Sequence, residues 1–224
     1  MKKITMVLAT RNSGKKAEIL EFLEGFPVDI KDLNDFGPIP DVVEDGATFE
    51  ENAYKKASFT ASVLGFPALA DDSGLEVEAL GGEPGVRSAR YAGENATDGE
   101  NNAKLLAAMA GVENRSARFR CVLSLAVPMG HALTYEASCE GSILEAPRGR
   151  NGFGYDPLFH HPGTGKSFAE MTLEEKSRVS HRGRALGELR GEFEKVLKWL
   201  EIRLNEEERL LKGDICLAEK HGRP

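Results

Sequence analysis

The chain is poor in cysteine. It has three in 224 residues, Cys121, Cys139 and Cys216. The number is odd and the spacing unpatterned, which excludes a regular disulfide framework and points to reduced thiols; no pair has metal-ligand spacing. Cys121 and Cys139 lie in apolar stretches and read as core residues. Long hydrophobic runs are also missing. Ile4 to Ala9, behind Lys2-Lys3, is too short for a signal peptide or a membrane span, and no later run reaches spanning length. Positive charge is in deficit. The net charge of −7 argues against broad duplex binding or docking on an acidic membrane surface. It leaves room for a small phosphate ligand held by a local group of Lys and Arg. Internal repeats, low-complexity tracts and linkers are absent. A cytoplasmic protein is expected. At 41% hydrophobic residues, the length suffices for one domain, or a single domain of two lobes.

What is there alternates between strand and helix patterns. Ile4 to Ala9 reads as a buried strand, 10–14 as a polar turn and 15–24 as a helix. Val28 to Leu33 is a second strand candidate, and 32–45 is loop-like. A helix over 48–64 opens with a capping box, Thr48 with Glu51, and Ala53, Ala57 and Ala61 with Phe49 and Val63 give it an apolar side. Phe66 to Ala70 reads as a buried strand that stops at a charged turn, Asp71-Asp72-Ser73-Gly74. A helix is expected over 98–110. Two long strands, 117–127 and 132–144, are expected as a hairpin about Pro128-Met129-Gly130-His131. One last long helix is expected from His181 into the low 200s. The charged tail from Glu206 lacks a clear apolar face and reads as a fraying or peripheral extension, 206–224, to a domain of residues 1–205. The pattern is α/β with a mixed sheet.

Four segments are able to carry chemistry. Thr10-Arg11-Asn12-Ser13-Gly14-Lys15 offers a helix N-terminus and a lysine to an anion. It is not a P-loop: Ala9 stands where the first glycine belongs, and Lys16 replaces the Ser or Thr. Gly165-Lys166-Ser167 fails likewise, with His160 in place of that glycine. Glu44, Asp45, Glu50 and Glu51 gather near a helix start, which favours acids for dipole reasons alone. Glu44 with Asp72 would suffice for Mg²⁺ on a triphosphate, and Lys56 is either a solvated lysine or faces the same anion. Asn151 to Pro157 brackets Phe153 with two glycines, either to stack on a base or to anchor the loop. Lys176 to Arg184 is a basic cluster at a helix start capped by Ser180, against the dipole preference.

Taken in order, several motifs become recognisable. They are Thr10 to Lys15, Thr48-Phe49-Glu50-Glu51-Asn52-Ala53, Ala70-Asp71-Asp72-Ser73-Gly74-Leu75 and Pro84 to Gly93. Gly152-Phe153-Gly154-Tyr155-Asp156-Pro157 follows, then Glu175-Lys176-Ser177 with Ser180-His181-Arg182-Gly183. Over residues 2–200 the chain closely resembles the inosine triphosphate pyrophosphatase (Ham1 or RdgB-like) family. The resemblance implies two α/β lobes about a long mixed sheet with the cleft between them, a homodimer, and Mg²⁺-dependent hydrolysis of ITP, dITP and XTP to monophosphate and pyrophosphate. It makes Thr10, Arg11, Asn12, Ser13, Gly14 and Lys15 the triphosphate turn. Asp72 becomes proton acceptor and metal ligand, with Asp71 beside it as the alternative acceptor, Glu44 a second metal position and Lys56 a phosphate-facing lysine, so that Asp72, Asp71 and Lys56 are the catalytic candidates. Ser73 becomes a substrate contact. Phe153, Gly154, Tyr155 and Asp156 become the base loop, and Lys176, His181 and Arg182 base and phosphate contacts. Arg11 departs from the family, which commonly has a small or polar residue there. Two rival readings are a phosphotransferase using the first turn and a non-catalytic nucleotide-binding module; the carboxylates at 44, 71 and 72 would be superfluous in the second.

Overall fold

The computed structural model describes the backbone of residues 3–221 and the side chains of residues 3–210. Seven strands form one mixed sheet: β1 (Ile4–Leu8), β2 (Val28–Asp32), β3 (Ala68–Val77), β4 (Ser116–Ala126), β5 (Ala132–Ile143), β6 (Phe159–His161) and β7 (Lys166–Ser167). Their order is β2-β1-β3-β4-β5-β6-β7. β1 pairs parallel with β2 and β3, as α-helical crossovers require, and every pair from β3 onward is antiparallel. The helices are α1 (Ser13–Leu23), α2 (Phe49–Leu64), α3 (Asp98–Ala108), α4 (Leu173–Val179), α5 (His181–Gly191) and α6 (Phe193–His221).

Side-chain alternation sorts the helices onto two faces. Met6, Leu8, Leu69, Cys121 and Leu123 pack with Ile19 and Leu23 of α1, Leu186 and Leu189 of α5, and Phe193 and Leu200 of α6. The opposite face presents Val7, Ala68, Ala70 and Ala126 to Ala57 and Ala61 of α2. A third cluster, Leu75, Val77, Leu105, Phe119, Phe159 and Phe168 among others, fills the far end of the sheet. Because β1 lies between β2 and β3, the chain leaves its carboxyl end toward opposite sides. That is where open α/β sheets provide a ligand crevice.

Most expected elements are present within one or two residues. The charged turn is not. β3 runs straight through Asp71-Asp72-Ser73-Gly74 to Val77, paired with β4 along its whole length. Turn propensity yields because β4 pairs with the whole segment, although β1 reaches only to Leu69. The capping box is half made: Thr48 accepts the Glu51 N–H at 3.1 Å, but Glu51 reaches the N–H of Ala47 instead. Val63 is exposed. The last helix is two, α5 and α6, separated at Glu192 after Gly191, a poor helix former. α6 continues through His221, so the tail expected from Glu206 carries on that helix. β6, β7 and α4 were not expected; they are too short for a periodic signal. Cys121 and Cys139 are free and buried; the side chain of Cys216 and residues 222–224 lie outside the described ones. No helix among the described residues is long and apolar enough to cross a membrane.

Candidate active site

Consecutive residues of a strand point to opposite faces. Asp71 and Asp72 therefore enter two different environments. Asp71 faces α1 and α5 and is fully buried in a polar nest. Arg182 Nε lies 2.9 Å from its Oδ2, and Lys15 makes a close ion pair with its Oδ1. The Ser73 hydroxyl donates to it at 2.7 Å, and the Cys121 thiol at 3.0 Å. Burial pushes the Asp71 carboxyl up, but Arg182 and Lys15 outweigh it and hold the group well below 3.8. Asp71 raises the Cys121 thiol further above its usual range than burial alone.

The nest extends through Glu18, which sequence reasoning missed. Its carboxylate pairs with Arg182 and lies 2.8 Å from Lys176 Nζ, which reaches Asp156 at 2.6 Å. Glu18 repeats one turn on from Lys15, on the helix face that meets α5; that spacing was the available signal. Lys15, Lys176 and Arg182 thus balance Glu18, Asp71 and Asp156. The basic cluster is not a solvated helix start: Lys176, His181 and Arg182 are buried, while Arg178 and Arg184 point out. Ser180 caps α5 as expected, accepting the Gly183 N–H at 3.1 Å.

Asp72 faces α2. Lys56 Nζ is 2.6 Å from its Oδ1 and 3.2 Å from Glu44 Oε2. Two carboxylates share one ammonium, leaving a negative charge unmatched. Burial raises the Asp72 carboxyl above 3.8, and Lys56 and Lys15 do not cancel the rise. Burial opposes the Lys56 charge, but Asp72 and Glu44 outweigh it and raise Lys56 above 10.5.

Both environments open into one cavity of about 410 Å³. Thr10, Arg11, Asn12 and Lys15 line one side, Glu44, Lys56, Asp72 and Ser73 another. Phe153 to Asp156, Lys176, His181 and Arg182 complete the lining. Ser13 and Gly14 are not on the wall. Gly14 serves packing: a Cβ there would lie 2.3 Å from Phe153 Cδ1, so the base-loop aromatic, not a phosphate, uses the space. Phe153 is half-buried, with Lys176 Nζ 4.7 Å from its ring centre. Gly74 likewise admits protein: a Cβ would lie 2.4 Å from the Gly85 carbonyl. Arg11 turns to the neighbouring loop, donating to Asp41 at 3.2 Å and to the Ile39 carbonyl at 3.0 Å. Tyr155 is buried, and its hydroxyl donates to the Ser88 carbonyl at 2.9 Å.

His181 stacks on Phe119, ring centres 4.6 Å apart. Burial, with Arg182 and Lys176 nearby, holds it well below 6.5, so the ring is neutral at pH 7. Its Nδ1 is buried without a hydrogen-bond partner. Buried polar atoms are rarely left so, and an unpartnered one on a cavity wall marks a place for a ligand atom.

A sequence model described as the Ham1 family matches residues 6–192. The dITP/XTP pyrophosphatase of Syntrophobacter fumaroxidans is 68% identical over 221 residues, 97% of this chain and 95% of the relative. A second enzyme of that name, from Desulfotalea psychrophila, is 58% identical over 90% of this chain and 91% of its own. The solved structure of a HAM1 protein from Coxiella burnetii superposes with a TM-score of 0.79 at 44% identity, covering 86% of this chain and 99% of that one. With a family model matching most of its length and this identity to relatives over nearly all of it, the chain belongs to the Ham1 family.

Proposed function

We propose that the protein is a nucleoside triphosphate pyrophosphatase that converts dITP, ITP and XTP to monophosphate and pyrophosphate and so clears deaminated purines from the nucleotide pool. The observation that carries the reading is a single cavity lined by two complementary groups. One has two carboxylates sharing one ammonium; the other has an aromatic side chain beside a neutral imidazole with a free nitrogen. The names of the relatives point to dITP and XTP among these substrates.

The purine lies at Phe153, where His181 and Arg182 offer donors to a 6-oxo group. Adenine presents an amino donor there and leaves buried donors unpaired, a mismatch that discriminates strongly. Asp72 takes the proton of a water whose oxygen attacks the α-phosphorus. The bond from that phosphorus to the bridging oxygen breaks, and the electron pair leaves on pyrophosphate. Lys56 and Lys15 offset its charge, Lys15 while paired with Asp71. Asp71 orients Arg182 and Lys15 and holds no substrate atom.

Asp72 and Glu44 fit a Mg²⁺ ion in donor type, being hard oxygen ligands on either side of the same lysine. Among the described residues no group of three His, Cys, Asp or Glu side chains is able to hold a metal. This matches an ion that arrives largely ligated by triphosphate and water, which Mg²⁺ favours. The ion polarises phosphate oxygens when bound. The reading also makes the protein a cytoplasmic homodimer, its mass in solution checked by sedimentation.

The deciding experiment supplies Mg²⁺ with ITP, dITP, XTP, ATP or GTP and assays pyrophosphate and orthophosphate separately. Pyrophosphate from ITP, dITP and XTP is expected. Orthophosphate with a nucleoside diphosphate would remove α-attack, transfer to an added acceptor would favour the phosphotransferase, and equal rates for ATP and ITP would remove base recognition.

A further inference from the structure

The Phe153–Gly154 segment is held from two sides. Asp156 engages Phe153 within the loop: its Oδ2 accepts the Phe153 N–H at 3.0 Å, and its own N–H donates to the Phe153 carbonyl at 3.2 Å. The next residue is held by α3. Asp98 Oδ2 accepts the Gly154 N–H at 2.7 Å, and Asn102 Nδ2 donates to the Gly154 carbonyl at 2.8 Å. Asp98 and Asn102 lie one turn apart and so share a face of α3. All four backbone polar groups of these two residues are therefore engaged, two of them by a helix remote in sequence. Asn102 keeps this contact although its Oδ1 is buried without a partner. Reversing the amide would set two oxygens against each other.

We propose that Asp98 and Asn102 are specificity-determining positioning residues: by clamping both sides of the Gly154 peptide they fix the Phe153 ring against which the purine is read. The proposal rests on the base-loop reading above. A loop with glycines at 152 and 154 has wide backbone freedom when released. Loss of either bond lets Phe153 leave the orientation in which substrate and His181 meet, and positional precision of this kind governs how well a bound base is told from its competitor. Asp72 and Lys56 are held by each other and by Glu44, so the chemistry there does not depend on the clamp.

The test compares Asp98→Ala, Asp98→Asn and Asn102→Ala with the wild type, by kcat and KM on ITP and ATP and by amide exchange of residues 151–156. Each Ala variant is expected to raise the KM for ITP about tenfold, the loss of one hydrogen bond, to an exposed carboxylate at Asp98 and from a half-buried amide at Asn102. The kcat for ITP and the turnover of ATP stay within about twofold, so the preference for ITP falls about tenfold. Exchange at 151–156 accelerates. Asp98→Asn retains preference and protection, because its amide oxygen still accepts from Gly154. Ala variants that keep both, or that lose ITP and ATP turnover equally, overturn the clamp while leaving base recognition standing. A wild type indifferent to the base overturns the base reading and this role together, even if exchange accelerates.

Discussion

Asp71 and Asp72 are chemically identical neighbours on one strand, and the fold makes opposites of them. Asp71 meets two cations, a hydroxyl and a thiol, and every demand of its charge is answered by protein. Asp72 meets one ammonium that it shares with Glu44. A carboxylate so fully satisfied is held ionised and has no capacity left for a proton or a metal. One that is underserved keeps a raised affinity for both. The difference arises from the two-residue period of a strand, with α1 and α5 on one side and α2 on the other. It teaches that burial and charge alone do not mark a catalytic acid or base; the count of partners does.

Neutralising each residue in turn breaks the comparison most sharply. Asp72→Asn removes the proposed base while leaving Lys56 its contact with Glu44. Turnover of ITP is expected to fall about 10²–10⁴-fold, with cooperative thermal unfolding retained. Asp71→Asn strands Arg182, which is buried and has only Glu18 left as a carboxylate partner. It is expected to cost about 3–5 kcal/mol, read by denaturant unfolding. A retained rate in the first variant, or unchanged stability in the second, would reverse the assignments.

pH sharpens the same contrast, and the two signs differ. Asp71 is held well below 3.8, so its stabilisation is present above the unfolded value and is lost only as pH falls through the lowered folded one. Asp72 is raised above 3.8, so its contribution is present below the unfolded value and is lost as pH rises through the raised folded one. Asp72→Asn lacks this loss, so its stability relative to the wild type rises as pH climbs from 3.8 through that raised value. The acid limb of kcat/KM for ITP is expected above 3.8 and should vanish with Asp72.

Much of this was legible in the sequence. The strands and helices that set the crevice announced themselves by period, and the positions lining it stood in motifs of fixed order. What was not legible is how charge is apportioned. Asp71-Asp72-Ser73-Gly74 has turn chemistry, and only pairing with β4, remote in sequence, makes it a strand. Gly14 and Gly74 look like openings for a ligand, but Phe153 and the segment at Gly85 occupy the space they leave. The buried role of Glu18 depends on α5, more than 160 residues away. Local pattern names the residues; it does not say which partners each will find across the fold.

The smallest effects belong to the loop that carries Glu44. Glu44→Gln removes the unmatched negative charge beside Lys56 without disturbing the Asp71 nest. The half-saturating Mg²⁺ concentration is expected to rise while stability stays within about 0.5 kcal/mol, as for a surface change. Arg11→Ala tests the loop from outside. Arg11 and Asp41 are 51% and 88% exposed, so their pairing contributes below about 1 kcal/mol. If Arg11 only tethers the loop through Asp41 and Ile39, Asp41→Ala should reproduce part of its effect on KM, and the double variant should add little to either. If Arg11 instead leaves the loop for the triphosphate, Arg11→Ala should raise KM and Asp41→Ala should lower it. The two substitutions then move KM in opposite directions, which a shared tether does not do.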